Sequence, residues 1–159
     1  MQKPQANSRQ CFVCGLENPF GLHLRFYEPG PGEVTAEITV PPHYQGYPGV
    51  VHGGIVAAML DEVCGRVHMG DDPPRFMYTA RLEVRYRQNV PVGEPLRLVG
   101  RAVRSKGRTA TAVAELYGPG DVLLAEADAL LVNVPQELIN SADLEALGWK
   151  VYEESGYDS

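Results

Sequence analysis

The chain has 159 residues, 44% of them hydrophobic and 21% charged, which fits one domain with a full core and leaves too little for two. A formal net charge of −6 argues against non-specific binding to nucleic acid, which needs a basic surface. The 17 glycines and 13 prolines stay below the share expected of a disordered, low-complexity chain.

No basic stretch followed by an apolar run marks the start, and no apolar run is long enough for a bilayer, so neither secretion nor membrane spanning is expected. The 3 cysteines cannot all pair within one chain, and a cytoplasmic, reducing setting is the simplest expectation.

In chain order, residues 1–10 are polar and offer nothing to pack, so a loose tail or a partly ordered arm is expected. Cys11-Phe-Val-Cys14-Gly15 follows. By spacing, two cysteines three apart are half of a zinc site, with His23 a candidate third ligand and His43, a partner-subunit residue or water the fourth. No second cysteine pair exists to complete it, so thiols in a turn are preferred and no metal is assigned. A redox role expects the pair at a helix start within a β-α-β pattern, which is absent. The turn Asn18-Pro-Phe-Gly21 leads to a first expected strand at 22–27.

Residues 33–40 alternate, with Val34, Ala36, Ile38 and Val40 on one face and Thr35, Glu37 and Thr39 on the other, which predicts a half-buried strand. Pro41 and Pro42 end it. Residues 43–50 then form a long loop in which Tyr44 and Tyr47 either line a pocket or pack at its base.

From Ile55 to Leu60 every residue is apolar, and Val63, Cys64 and Val67 continue the pattern, which predicts one long, mostly buried helix. Val56, Leu60, Val63 and Val67 stack on one side. Ala57, Ala58, Asp61, Cys64, Gly65 and His68 fall on another, leaving a slot beside the Asp61 carboxylate. Glu62 faces elsewhere with Arg66 four residues on, in the favourable order for an ion pair. The turn His52-Gly53-Gly54 opens the helix, and its backbone N–H groups, with the helix dipole behind them, suit an oxyanion.

A stop signal follows at Gly70-Asp-Asp-Pro-Pro74. Strands are expected at 78–87, 96–104, 109–117 and 122–134, joined by turns short enough for hairpins. In the first, Ala80, Leu82, Val84 and Tyr86 form the core face, and Arg81, Glu83, Arg85 and Arg87 a charged one. In the last, Leu123, Ala125, Ala127, Ala129 and Leu131 share a face against which the helix can lie close. Pattern alone therefore reaches an α+β fold, an antiparallel sheet on one apolar helix. A short helix is expected near 141–147, capped by Ser141 and stopped at Gly148. Trp149 and Tyr152 are expected to pack on the body or on a partner subunit.

The run from Gly49 through His52-Gly53-Gly54 to Asp61 resembles the signature of hotdog-fold acyl-CoA thioesterases, in the branch of 4-hydroxybenzoyl-CoA thioesterase and the phenylacetate-pathway (PaaI-type) enzymes. The likeness runs through Thr79-Ala-Arg-Leu-Glu-Val-Arg-Tyr86 to about Val134. It implies a hotdog domain over residues 22–134, between an arm at 1–21 and an appendage at 135–159. It implies Asp61 as the catalytic carboxylate, attacking directly or activating water, and Gly54 N–H as the group that polarises the thioester carbonyl. His52 shapes that turn or contacts the thioester, and Thr79 orients the acid or places water.

The glycine turn and the aromatic loop make Gly53 and Tyr47 candidate substrate contacts, and the same likeness assigns coenzyme A phosphate contacts to Lys106, Gly107 and Arg108. It implies no cofactor, and a homodimer or a tetramer of two dimers, with helix start and acid contributed by different subunits. The competing readings are a non-catalytic acyl-CoA-binding module and a hotdog dehydratase or hydratase, in which a histidine is the main base.

Overall fold

The computed structural model describes residues 2–70 and 73–154. Asp71 and Asp72 of the expected stop signal lie outside the described residues, as does the end of the expected appendage.

The strands are β1 (Lys3–Pro4), β2 (Tyr27–Glu28), β3 (Glu33–Thr39), β4 (Met77–Tyr86), β5 (Pro95–Lys106), β6 (Thr109–Tyr117) and β7 (Leu123–Asn133); the helices are α1 (Gly53–Arg66) and α2 (Ser141–Leu147). Among the described residues they make one antiparallel sheet in the order β1-β2-β3-β5-β6-β7-β4. The 14-residue α1 lies across one face, touching β3 to β7. No described helix is long and apolar enough to cross a membrane.

Alternation explains the packing. Ala125, Ala127, Ala129 and Leu131 of β7, with Ala112, Ala114 and Leu116 of β6, are buried beneath Val56, Met59, Leu60 and Val63 of α1. The small side chains of β6 and β7 let the helix approach. On β5 the approach is closer still: a Cβ built on Gly100 would stand 2.3 Å from Val63 Cγ1.

Several expectations fail for physical reasons. The connection from β4 to β5 is no hairpin, since β4 pairs with β7 and β5 with β3. Its residues cross the end of the sheet instead, with Val51 N–H on the Val90 carbonyl, Val92 N–H on Gly49 and Gly93 N–H on Val40. Shortness permits a hairpin but does not compel one; the edge beside β7 is where β4 can pair while still reaching α1.

Residues 22–26 are not a strand, although Leu22, Leu24 and Phe26 alternate into the core, because Leu22 and Leu24 N–H bond back to Phe12 and Val13 rather than to a neighbouring strand. On β7 the bulge between Leu116 and Tyr117 of β6 turns Leu124 inward and leaves Leu123 only half-buried. On β4, Ala80 and Tyr86 are exposed rather than core.

Of the two expectations for the N-terminal arm, the ordered one holds. β1 extends the sheet, and Gln5, Asn7 and Ser8 are buried. Asn7 donates through Nδ2 to the Cys14 and Leu24 carbonyls, both at 2.8 Å, and its backbone pairs with Lys150. Arg66, 2% exposed, bonds Glu62 Oε1 (3.0 Å) and the Ala6 carbonyl (2.8 Å) and stacks over Phe26 and Trp149. Trp149 also meets Phe76 edge-on at 5.0 Å, so both ends of the chain dock on the same side of α1. The cap of α2 comes from Asn140 and Asp143, which exchange backbone-to-side-chain bonds of 2.9 and 3.1 Å.

Candidate active site

His52 is the N-cap of α1: the Gly54 N–H donates to its Nδ1 at 2.9 Å, and its carbonyl accepts from Ile55 and Val56 N–H. A neutral ring with Nδ1 as acceptor carries its proton on Nε2. The turn sits beside a cavity of about 570 Å³ lined by Tyr47, Val51, His52, Gly53, Val56 and Tyr86 among others. Tyr86, assigned to the core by alternation, instead donates its hydroxyl to the Gly53 carbonyl at 2.6 Å and helps shape this cavity. Its polar tip was the available signal: a tyrosine ending a strand is free to leave the core.

Asp61 lies eight residues beyond Gly53 on α1, about 12 Å along the axis, and does not line that cavity. The Thr79 hydroxyl donates to Asp61 Oδ1 at 2.5 Å. Backbone geometry makes this contact. Thr79 stands opposite Leu131, and the next ladder pair is Arg81 with Leu130, so Ala80 is an extra residue in β4. Before that bulge, Thr79 shares the helix-facing side with Leu82, whose partner is the buried Ala129. One turn beyond the acid, an added Cβ at Gly65 would meet nothing within 4 Å, so the space there is open. Cys64, placed on that same side by the helical wheel, is fully buried instead.

Lys106, Gly107 and Arg108 form the exposed β5–β6 hairpin, with Gly107 in the left-handed region at φ +61°. Ala110 pairs with Leu131, and Leu131 with Thr79, so this hairpin lies at the acid's end of the sheet, two strand spacings or roughly 10 Å away. Arg75, which nothing in the sequence singled out, clamps it by donating to Asn133 Oδ1 and Ser105 Oγ, both at 2.7 Å, and to the Gly107 carbonyl.

Tyr44 is structural: its hydroxyl donates to the Phe20 and Gly21 carbonyls and its ring meets Phe12. Tyr47 is 83% exposed at the cavity rim. His23 and His43 are not gathered with the cysteines. His23 Nε2 meets the Asn18 carbonyl, and the His43 ring lies tilted against Tyr44, with centroids 4.3 Å apart. The carboxylate beside Cys11 and Cys14 is that of Glu62.

One helix seated in a curved antiparallel sheet is the architecture of hotdog-fold proteins. A crystal structure of a thioesterase-superfamily protein superposes with a TM-score of 0.71 at 31% identity, over 78% of this chain and 63% of that one. Residues 48–125 match the sequence model of the thioesterase superfamily. The acyl-coenzyme A thioesterase THEM4 of Rattus norvegicus is 27% identical over 92 residues, 57% of this chain and 39% of the rat protein. The chain therefore spans well under half of that relative. A Streptococcus mutans protein bound to acetyl-CoA shares the fold at 19% identity and TM-score 0.63, over 70% of this chain and 88% of that one.

Proposed function

We propose that this protein is an acyl-CoA thioesterase of the 4-hydroxybenzoyl-CoA and phenylacetate-pathway branch, hydrolysing an acyl-CoA to the free acid and coenzyme A. The observation that carries this reading is the Asp61 carboxylate held by Thr79, with open space at Gly65 one turn on, on a helix that begins with a donor-bearing turn. The rat relative's activity and the acetyl-CoA on the S. mutans fold agree with the substrate class.

In this mechanism the thioester oxygen takes the Gly54 N–H from His52, and the helix dipole stabilises the charge that develops there. Asp61 attacks the carbonyl carbon, giving a mixed anhydride that water then hydrolyses to restore the carboxylate, or it removes a proton from the water that attacks; in either route the C–S bond breaks, and coenzyme A leaves as a thiolate that takes up the proton the water gives up. Thr79 fixes the carboxylate. Gly53 and Tyr47 contact the acyl end, and Lys106, Gly107 and Arg108 meet the coenzyme phosphates.

Helix start and acid lie about 12 Å apart in one chain, so the working site takes Asp61 from one protomer and the His52 turn from its partner. β4 offers the contact: it is the outer strand beside β7, ten residues long, with Tyr78 and Tyr86 exposed. A homodimer, alone or paired into a tetramer, in a cytoplasmic setting and with no cofactor, completes the proposal.

Hydrolysis of an acyl-CoA panel, followed by release of free thiol, tests the activity. Asp61→Asn should lower kcat by roughly a hundredfold or more while acyl-CoA binding persists. Glu115→Gln, on the outer sheet face beside Arg101, is the control and should turn over normally. Full turnover by Asp61→Asn, or no turnover of any thioester by the native protein, would leave the second reading. That reading, a non-catalytic acyl-CoA-binding module, is favoured by the engagement of Gly54 N–H with His52.

A further inference from the structure

The Cys11 Sγ, the Cys14 Sγ and a Glu62 carboxylate oxygen lie within 4.8 Å of one another. Two come from one turn and one from α1, residues that the thioesterase reading leaves without a task. The turn is fixed independently of any ligand. Gly15 N–H donates to the Cys11 carbonyl at 2.7 Å, Cys11 N–H to Ser8 Oγ at 3.3 Å, and Cys14 N–H faces Cys11 Sγ at 3.5 Å. A Cβ on Gly15 would stand 2.4 Å from the Cys11 oxygen, so this tight turn requires glycine.

We propose that Cys11, Cys14 and Glu62 bind a thiophilic divalent cation of the zinc class, with the fourth position held by water or by Ser8 Oγ. Donors around a tetrahedral zinc stand about 3.5–3.8 Å apart, so the cluster, within 4.8 Å, needs at most about 1.3 Å of closure. Ser8 Oγ is already 3.5 Å from Cys14 Sγ.

Charge favours the ion. Two thiolates and a carboxylate are an untenable load for a site where Cys14 is 2% exposed. A divalent cation together with the Arg66 guanidinium brings the cluster to neutrality, and binding expels the thiol protons. Arg66 Nε holds Glu62 Oε1 at 3.0 Å, which leaves Oε2 for the metal and orients the carboxylate as an outer partner does. The ion would tie the N-terminal arm to α1 at the residue beside Asp61. This site does not depend on the thioesterase reading.

Elemental analysis of the full-length protein, expressed and purified without chelator, should find stoichiometric zinc. Cobalt(II) added to the metal-stripped protein should give a thiolate-to-metal charge-transfer band. Because Cys14 is buried and its substitution endangers folding, Cys11→Ser is the main variant. It should weaken zinc by more than the roughly 10–100-fold of losing an outer partner, with an unchanged circular dichroism spectrum. Glu62→Gln should weaken zinc while retaining the charge-transfer band. Three results would overturn the site: no charge-transfer band, equal zinc affinity in native protein and Cys11→Ser, or a native mass lower by two hydrogens, which would make Cys11 and Cys14 a redox pair.

Discussion

Thr79 shows how one backbone irregularity decides which side chain meets the acid. Strict alternation along β4 would put Thr79 on the charged face with Arg81; the extra residue Ala80 reverses the phase and aims the hydroxyl at Asp61. On the proposed reading Thr79 is a positioning residue, which gives a selective test. Thr79→Val should lower kcat about tenfold with KM nearly unchanged, on the scale of one charge-assisted hydrogen bond, and Thr79→Ser should restore most of it. Full turnover by Thr79→Val with loss in Thr79→Ser would mean that the methyl packing matters instead. The helix, its His-Gly-Gly entrance and the side of α1 on which Asp61 stands were all legible, because apolar periodicity and glycine chemistry are local. The Thr79 contact was legible only through family resemblance, since a bulge leaves no mark in a run such as Thr79-Ala-Arg-Leu. Glu62 beside the cysteines was not legible at all: nothing local joins residues 11 and 62.

The elements were read well where their patterning is self-contained and poorly where a neighbour decides. β3, β5, β6 and β7 lie where alternation puts them, within a few residues. The segment at 22–26 has a strand's alternation without a strand's partner, and the β4–β5 connection has a hairpin's length without its pairing. Pairing is a tertiary choice, so sequence periodicity cannot assign it. The contact of α1 with β5 is correspondingly strict. Gly100→Ala should cost at least about 1–3 kcal/mol in denaturant unfolding, because the new methyl meets Val63 Cγ1 and, behind it, the Val63 carbonyl at 3.2 Å. Adding Val63→Ala should recover part of that loss. Arg66→Met strands the Glu62 carboxylate and frees the arm; it should cost about 3 kcal/mol, a drop in Tm of roughly 6–12 °C by thermal melt.

At the scale of the whole molecule, the separation of the His52 turn from Asp61 converts the proposed mechanism into a statement about assembly. Two inactive variants, Asp61→Asn and Gly54→Pro, should complement when mixed and re-equilibrated. Half of the dimers would be mixed and each would carry one intact site, giving about a quarter of native turnover. No recovery, in a mixture shown by native mass spectrometry to have exchanged subunits, would place both groups in one protomer's site. Light scattering over a dilution series should show activity falling as the single-chain species of about 17.4 kDa appears. Finally, the sole tryptophan of the chain, Trp149, lies between Phe76 and Arg66, where the two chain ends clasp across Asn7 and Lys150. Its emission is therefore a built-in optical gauge of that clasp rather than of the sheet. Titrated with denaturant, fluorescence and far-ultraviolet dichroism would part company if the ends let go before the strands do.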